Sequence, residues 1–183
     1  MLTLMYASKE EIARAHHAYL DGIDDAQGRI REHLRETGGP EADGSVESLL
    51  GIGQWFLEHL PETAEPMPTS WIPAWWNPQS PPSGDGVDTH SPVTRQQLRL
   101  IDEVHAYVAE VVMTHANKAQ WVVYKGRRKN IRFGTTVIQL GKRRQFYPKS
   151  LVYKAAVNVV LLDKPVEAAL FYDVVRQYIS DAD

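Results

Sequence analysis

The sequence predicts a single α+β domain in which helices and a small antiparallel sheet occupy separate layers. Apolar residues recur every three or four positions before residue 115, which is the spacing of helices with one buried face. Between residues 120 and 147 the pattern changes to short β-branched and aromatic runs separated by turns, and helical spacing returns after that. Helices, then a short sheet, then helices again are typical of an α+β domain. With 183 residues, 43% of them hydrophobic, the chain 1–183 has the length and composition of one domain with its own core.

Three helices are predicted before the sheet. The first runs from Lys9 to Arg35, and "SKEE" at its start predicts a capping box between Ser8 and Glu11. The second runs from Val46 to His59, and the third from Thr94 to His115. Each has apolar positions along one face, so we expect all three to pack on a common core.

The sheet is predicted as a small antiparallel meander followed by two more helices. Strands are expected in "QWVVY" and "QFYP", and one or two strands in "IRFGTTVIQL". The turns at opposite ends of this sheet hold the basic stretches "KGRRKN" and "GKRR". The closing helices are expected over 149–162 and 164–180, with Asp163 as the cap of the last helix.

A long segment rich in proline and tryptophan, residues 61–92, separates the second and third helices. It contains eight of the eleven prolines and three of the five tryptophans, and it lacks any periodicity. Long connections of this kind are usually either functional or disordered. The stretch "SWIPAWW" is too apolar to remain in solvent, so we expect it to dock on the domain, whereas 77–90 has the composition of a mobile tip.

Charge is strongly segregated along the chain. Residues 111–162 contain no acid and carry +11, so the rest of the chain carries −14 and the net charge is −3. The stretch "YKGRRKNIRFG" is the most basic part of this segment. Such asymmetry indicates an anionic partner. The alternative is that acidic segments pack beside the basic one and neutralise it within the fold.

Composition excludes several classes of site. The chain has no cysteine, which rules out disulfides, thiolate metal sites and cysteine nucleophiles. The N-terminal apolar run has no preceding basic residues and is ended by Lys9, Glu10 and Glu11, unlike a signal peptide. No segment approaches the roughly 18 apolar residues of a membrane span. We therefore expect a cytoplasmic protein without a membrane partner.

Motifs for catalysis, cofactors or metals are missing from the sequence. The seven histidines do not form a ligand pattern, and there is neither a nucleophile elbow nor a phosphate-binding glycine loop. We therefore expect no metal and no cofactor, and a protein that is not an enzyme. An enzyme built from scattered residues remains open at this point.

The basic segment and the tryptophans are the candidate binding residues. Arginine and lysine pair with carboxylates, and tryptophan and arginine are enriched at the centres of protein interfaces. An acidic protein partner is therefore predicted, bound by Lys125, Arg127, Arg128, Lys129, Arg132 and Arg143, with Trp71, Trp75 and Trp76 as apolar anchors. The alternative partner is nucleic acid, since the segment 118–154 combines cations for phosphates with aromatic rings for stacking. The acidic charge of the whole chain argues against it.

The C-terminal half also carries a pattern of packing residues that is found in a known group of proteins. The pattern consists of "YVAEVV", "AQWVVY", "TVIQLG", "FYPKSLV" and "LFYDVVRQYI". In these stretches the chain resembles a diffuse family of small uncharacterised bacterial proteins of the immunity type, found next to polymorphic toxins. The resemblance implies a non-enzymatic protein that works by covering another protein, such as the active site of a toxin. It assigns no contact residues, because such proteins vary in their contact surfaces.

Overall fold

The computed structural model describes residues 2–61, 71–83, 91–142 and 144–181. Within them the chain forms five helices and one three-stranded antiparallel sheet, so the predicted α+β fold is confirmed. The elements are α1 (Lys9–Thr37), α2 (Ser48–His59), α3 (Arg95–His115), β1 (Gln120–Val123), β2 (Thr136–Leu140), β3 (Arg144–Phe146), α4 (Pro148–Val160) and α5 (Leu170–Ser180). None of these helices is both long enough and apolar enough to cross a membrane.

Helix α1 begins and ends where local sequence signals predict. The hydroxyl of Ser8 accepts from the amide of Glu11 at 3.2 Å, and the Glu11 carboxylate accepts from the amide of Ser8 at 2.7 Å. This is the predicted capping box. The helix ends at Gly38, whose φ of 66° places it in the left-handed region favoured by glycine. Its buried face consists of Tyr19, Ile23, Ala26, Ile30 and Leu34.

Helix α3 lies at the centre of the domain. It packs against α1, α2, α4 and α5, and most of its residues are buried. A second capping box fixes its start, because the hydroxyl of Thr94 accepts from the amide of Gln97 and the Gln97 side chain accepts from the amide of Thr94. Polar residues on this helix are therefore enclosed by neighbouring elements and need partners from them.

Helix α5 begins six residues later than predicted, at Leu170 instead of Lys164. Asp163 does not cap it; this residue has a φ of 47° and lies outside any helix. The chain must first pass over α2, where a Cβ added to Gly53 would lie only 2.0 Å from the carbonyl oxygen of Ala168. This close passage holds the segment before α5 in a non-helical path.

The sheet is a meander in the order β1-β2-β3. Trp121 pairs with Ile138, and Ile138 pairs with Phe146. Of the one or two strands predicted over 131–140, one is present, at 136–140; the expectation of strand structure at 131–134 is wrong, because these residues form turns. One face of the sheet lies against α1, where the Trp121 ring packs on Tyr19 with 5.6 Å between ring centroids.

The described part of "SWIPAWW", residues 71–76, docks on the domain as predicted, and we call it the tryptophan segment. Trp75 and Trp76 are 3% and 4% exposed, and both belong to the hydrophobic core. The carbonyl of Trp75 accepts from the amide of Leu2 at 2.9 Å. The indole of Trp76 donates to the carbonyl of Ser80 at 2.6 Å. Half of the predicted mobile tip, residues 84–90, lies outside the described residues.

Candidate functional site

The connection between β1 and β2, residues 124–135, is an ordered loop that we call the cationic loop. Tyr124 is bonded to two successive residues of the other strand, donating to the carbonyl of Thr135 at 2.8 Å and accepting from the amide of Gly134 at 3.0 Å. With Gly134 at a φ of 80°, this is a glycine β-bulge that ends the ladder. Within the loop, Asn130 accepts from the amide of Arg132 through its side chain and from that of Phe133 through its carbonyl. These turns fix the backbone that carries the cations.

Every predicted cation of this loop is exposed. They are Lys125, Arg127, Arg128, Lys129 and Arg132. None of them makes an ion pair with an acid in the part of the chain that the structure describes. Direct neutralisation by the acidic helices, the alternative left open by the sequence, does not occur among these residues.

The described acids that make ion pairs do so elsewhere. Asp102, Glu103 and Glu110 of α3 pair with arginines and a histidine of α1 and α3, and Asp181 pairs with Arg144. The exposed acids of α1, such as Asp21, make no ion pair with the cationic loop in the described ranges. The loop therefore presents a concentrated positive charge to solvent.

Apolar side chains accompany these cations. Ile131, inside the loop, is 69% exposed. Arg128 donates to the carbonyl of Met5 at 3.3 Å, which brings the N-terminal segment against the loop, and the following residue, Tyr6, is 88% exposed. The guanidinium of Arg132 lies 4.4 Å from the ring centroid of Tyr147 and covers it.

The remaining predicted site residues do not join this surface. Trp75 and Trp76 are core residues, so the prediction that they anchor a partner is corrected: their side chains are covered by the domain itself. Trp71 is half-buried, lies 5.8 Å from the guanidinium of Arg29, and accepts from Arg95 through its carbonyl. Arg143 lies outside the described residues.

A second group of polar residues, which the sequence did not predict, lies under the tryptophan segment. The carboxylate of Asp102 accepts from Nη2 of Arg29 and from the indole nitrogen of Trp75, each at 2.7 Å. Burial raises the pKa of Asp102 from 3.8 to about 6, although the bonds from Trp75 and Arg29 act in the opposite direction. One carboxylate thus joins α1, α3 and the tryptophan segment.

Two further groups in this cluster lack a partner. Nδ1 of His105 donates to the carbonyl of Ile101 at 3.1 Å, while its Nε2 and the hydroxyl of Tyr19 find no hydrogen-bond partner among the described residues. Burial lowers the pKa of His105 to about 3, and the charges of Lys149 and Arg29 contribute to the shift. The imidazole is therefore neutral at pH 7.

Lys149 is an unusual neighbour of this cluster. It is 7% exposed, and its Nζ lies 5.2 Å from the ring centroid of Tyr19. No acid among the described residues pairs with it. Burial lowers its pKa from 10.5 to about 8.

A pocket of about 170 Å³ opens beside the cluster. Its lining includes Tyr19, Arg29, Trp71, Asp102 and His105. The unpartnered atoms of Tyr19 and His105 are sealed from solvent, so the pocket does not present them to a ligand in this conformation. Across the described parts of the chain, no group of three or more histidines and acids is arranged to hold a metal ion.

Comparison of the chain with protein-family models, with curated proteins and with solved structures finds no match in any of the three.

Proposed function

We propose that this chain is a non-enzymatic binding protein whose cationic loop docks on an acidic surface of another protein and covers it. The observation that carries the proposal is the exposure of five cations on one ordered loop without an acidic partner among the described residues. Charges held in this way attract a complementary surface over several ångströms and speed association. Arginine forks then pair with carboxylates in a fixed geometry.

The surroundings of the loop favour a protein over nucleic acid. Ile131 and Tyr6 add exposed apolar surface beside the cations, which suits a protein interface better than a phosphate backbone. The ring of Tyr147 is covered by Arg132 on one face, which removes a stacking face for a base.

The specific partner that we propose is a toxin with an acidic active site. The chain binds this toxin in the cytoplasm. This partner agrees with the resemblance of the C-terminal half to immunity-type proteins. Coverage of an active site requires no catalytic group on this chain, and the cationic loop needs only to reach and block the acidic residues.

The test is affinity capture from the native host with a charge-reversed loop, R127E/R128E/K129E. The matched control, K142E/K154E/K164E, reverses three exposed cations outside the loop and changes the net charge equally. We expect an acidic protein, identified by mass spectrometry, that the wild type and the control capture after nuclease treatment and the loop variant does not. Capture that is equal for both variants contradicts the proposal.

The same experiment distinguishes a nucleic-acid partner from a protein partner. Material that disappears after nuclease treatment, and whose binding falls steeply with salt, identifies nucleic acid as the partner. A protein interface that contains Ile131 and Tyr6 should depend less on salt, because part of its free energy comes from apolar burial.

A further inference from the structure

Strand β1 forms one edge of the sheet, and its outward backbone groups can be assigned from the register. Tyr124 exchanges both of its backbone hydrogen bonds with 134 and 135, and Val122 pairs with Val137 two residues before. In an antiparallel ladder such bonded pairs alternate along the strand. The amides and carbonyls of Trp121 and Val123 therefore point away from β2.

These outward groups have no hydrogen-bond partner in the described ranges. Natural proteins usually protect such an edge with a charge, a proline or a bulge within the strand. The sequence of β1, "QWVV", contains none of these and is rich in residues that favour strands. The opposite edge differs, because Arg144 of β3 pairs with Asp181 and covers the ring of Tyr178.

Cations lie on both sides of this edge. Lys118 is exposed two residues before β1, and Lys125, the first cation of the cationic loop, lies two residues after it. A partner segment that paired with the edge of β1 would thus run from an uncharged strand edge onto the exposed cations of the loop. Both its backbone and its charge would find complementary groups.

We propose that β1 receives an extended acidic segment of the partner as a fourth strand, with backbone bonds to Trp121 and Val123 and carboxylates on the cationic loop. This inference rests on the proposed function, since it specifies how the acidic partner binds. Backbone bonds supply affinity in such complexes, and side chains supply specificity. Because the loop follows the C-terminal end of β1, the acids lie at the N-terminal end of an antiparallel segment or at the C-terminal end of a parallel one.

Synthetic peptides test the inference without the natural partner. The probes are EEEETVTVT for the antiparallel arrangement and TVTVTEEEE for the parallel one. In nuclear magnetic resonance titrations up to about 1 mM peptide, we expect one probe to shift the amides of Trp121 and Val123 and to protect them from exchange. A control in which both valines are proline, EEEETPTPT or TPTPTEEEE, keeps the charge and should bind about tenfold more weakly, the loss expected for two hydrogen bonds.

Variants of the edge provide the second measurement. The V123P variant removes an outward amide and leaves the ladder intact, a position at which proline is tolerated on an edge strand. V123T keeps the amide and changes only the side chain. Binding of the probe should fall about threefold in V123P, which loses one hydrogen bond, and stay near the wild-type value in V123T. The titrations of the wild type decide the question even if V123P does not fold.

The outcomes distinguish this inference from the proposed function. Shifts confined to the cationic loop, or full binding by V123P, overturn strand addition and leave charge-based docking in place. Absence of binding by both probes also overturns strand addition. If R127E/R128E/K129E captures the same proteins as the wild type, the proposed function itself is overturned.

Discussion

Nη2 of Arg29 donates to Oδ2 of Asp102 at 2.7 Å, across the interface between α1 and α3. The same carboxylate accepts from the indole of Trp75, so it also holds the tryptophan segment on the domain. The side chain of Asp102 is only 6% exposed. Removal of this group leaves two donors without their acceptor, which is the costly way to break a buried polar contact.

We expect Asp102→Ala to lower the free energy of unfolding by about 2–4 kcal/mol. Glu110→Ala is the matched control, because Glu110 pairs with Arg31 on the same two helices but both side chains are more exposed. Loss of that exposed pair should cost less than about 1 kcal/mol. Urea unfolding followed by tryptophan fluorescence measures both values. Equal losses in the free energy of unfolding would show that the buried Asp102 contact stabilises the fold no more than the exposed Glu110 pair does.

The imidazole of His105 should remain neutral far below its ordinary pKa. Burial lowers that pKa from 6.5 to about 3. Between these values the unfolded chain binds a proton that the folded chain does not, so His105 lowers stability as pH falls through this window. Nuclear magnetic resonance of the His105 ring should show no titration from pH 8 down to pH 5. A midpoint near pH 6.5 would contradict the enclosed position of the ring.

Asp102 acts in the opposite direction over part of the same range. Its pKa is raised from 3.8 to about 6, so the folded chain binds the extra proton between these values and gains stability as pH falls. Asp102→Asn removes this gain in stability, which partly offsets the loss caused by His105. The stability of that variant should therefore fall more steeply than that of the wild type between pH 6 and pH 4, measured by urea unfolding at each pH. Parallel curves would indicate an ordinary pKa for Asp102.

Local signals predicted most of the fold. The capping boxes at Ser8 and Thr94 lie within a few residues of the helix starts they fix, so the sequence alone contains both partners. The start of α5 depends instead on the passage of Ala168 over Gly53. That contact joins residues far apart in the chain, and no local pattern indicates it.

The candidate surfaces divide in the same way. The sequence located the cations around Arg128 but left open whether acidic segments neutralise them within the fold. The burial of Trp75 depends on an acceptor, Asp102, that lies 27 residues away in sequence. The partners of Asp102 come from α1 and from an aperiodic segment, so no local pattern indicates its burial. Likewise, nothing local distinguishes the buried Lys149 from the exposed Lys154.

Replacement of Lys149 by methionine should stabilise the protein. Burial lowers the pKa of Lys149 from 10.5 to about 8, and between these values the unfolded chain binds the additional proton, so stability rises with pH in that window. At pH 7 the buried charge is fully present, and its removal should add up to about 3 kcal/mol. Lys154→Met, on the exposed side of α4, should change little. Thermal unfolding at pH 7 and at pH 10 measures the difference.

In the Lys149→Met variant the gain should shrink toward pH 10, because the wild-type lysine is then mostly neutral in the folded state. A gain that is independent of pH would point to better packing by methionine and not to removal of a buried charge. A loss of stability would mean that the contact of Nζ with the Tyr19 ring outweighs the desolvation of the ammonium group.

Gly134 should be the least replaceable residue of the cationic loop. Its φ is +80°, and an added Cβ would lie 2.8 Å from Cβ of Leu4. Gly134→Ala therefore combines backbone strain with a clash against the N-terminal segment, and we expect a loss of about 1–3 kcal/mol. Gly141→Ala is the control, since Gly141 has a φ of +57° but no atom within 4 Å of an added Cβ. Thermal unfolding compares the two, and amide exchange at Tyr124 reports on the bulge. Equal losses would mean that backbone strain alone restricts both positions and that Leu4 does not hold the loop in place.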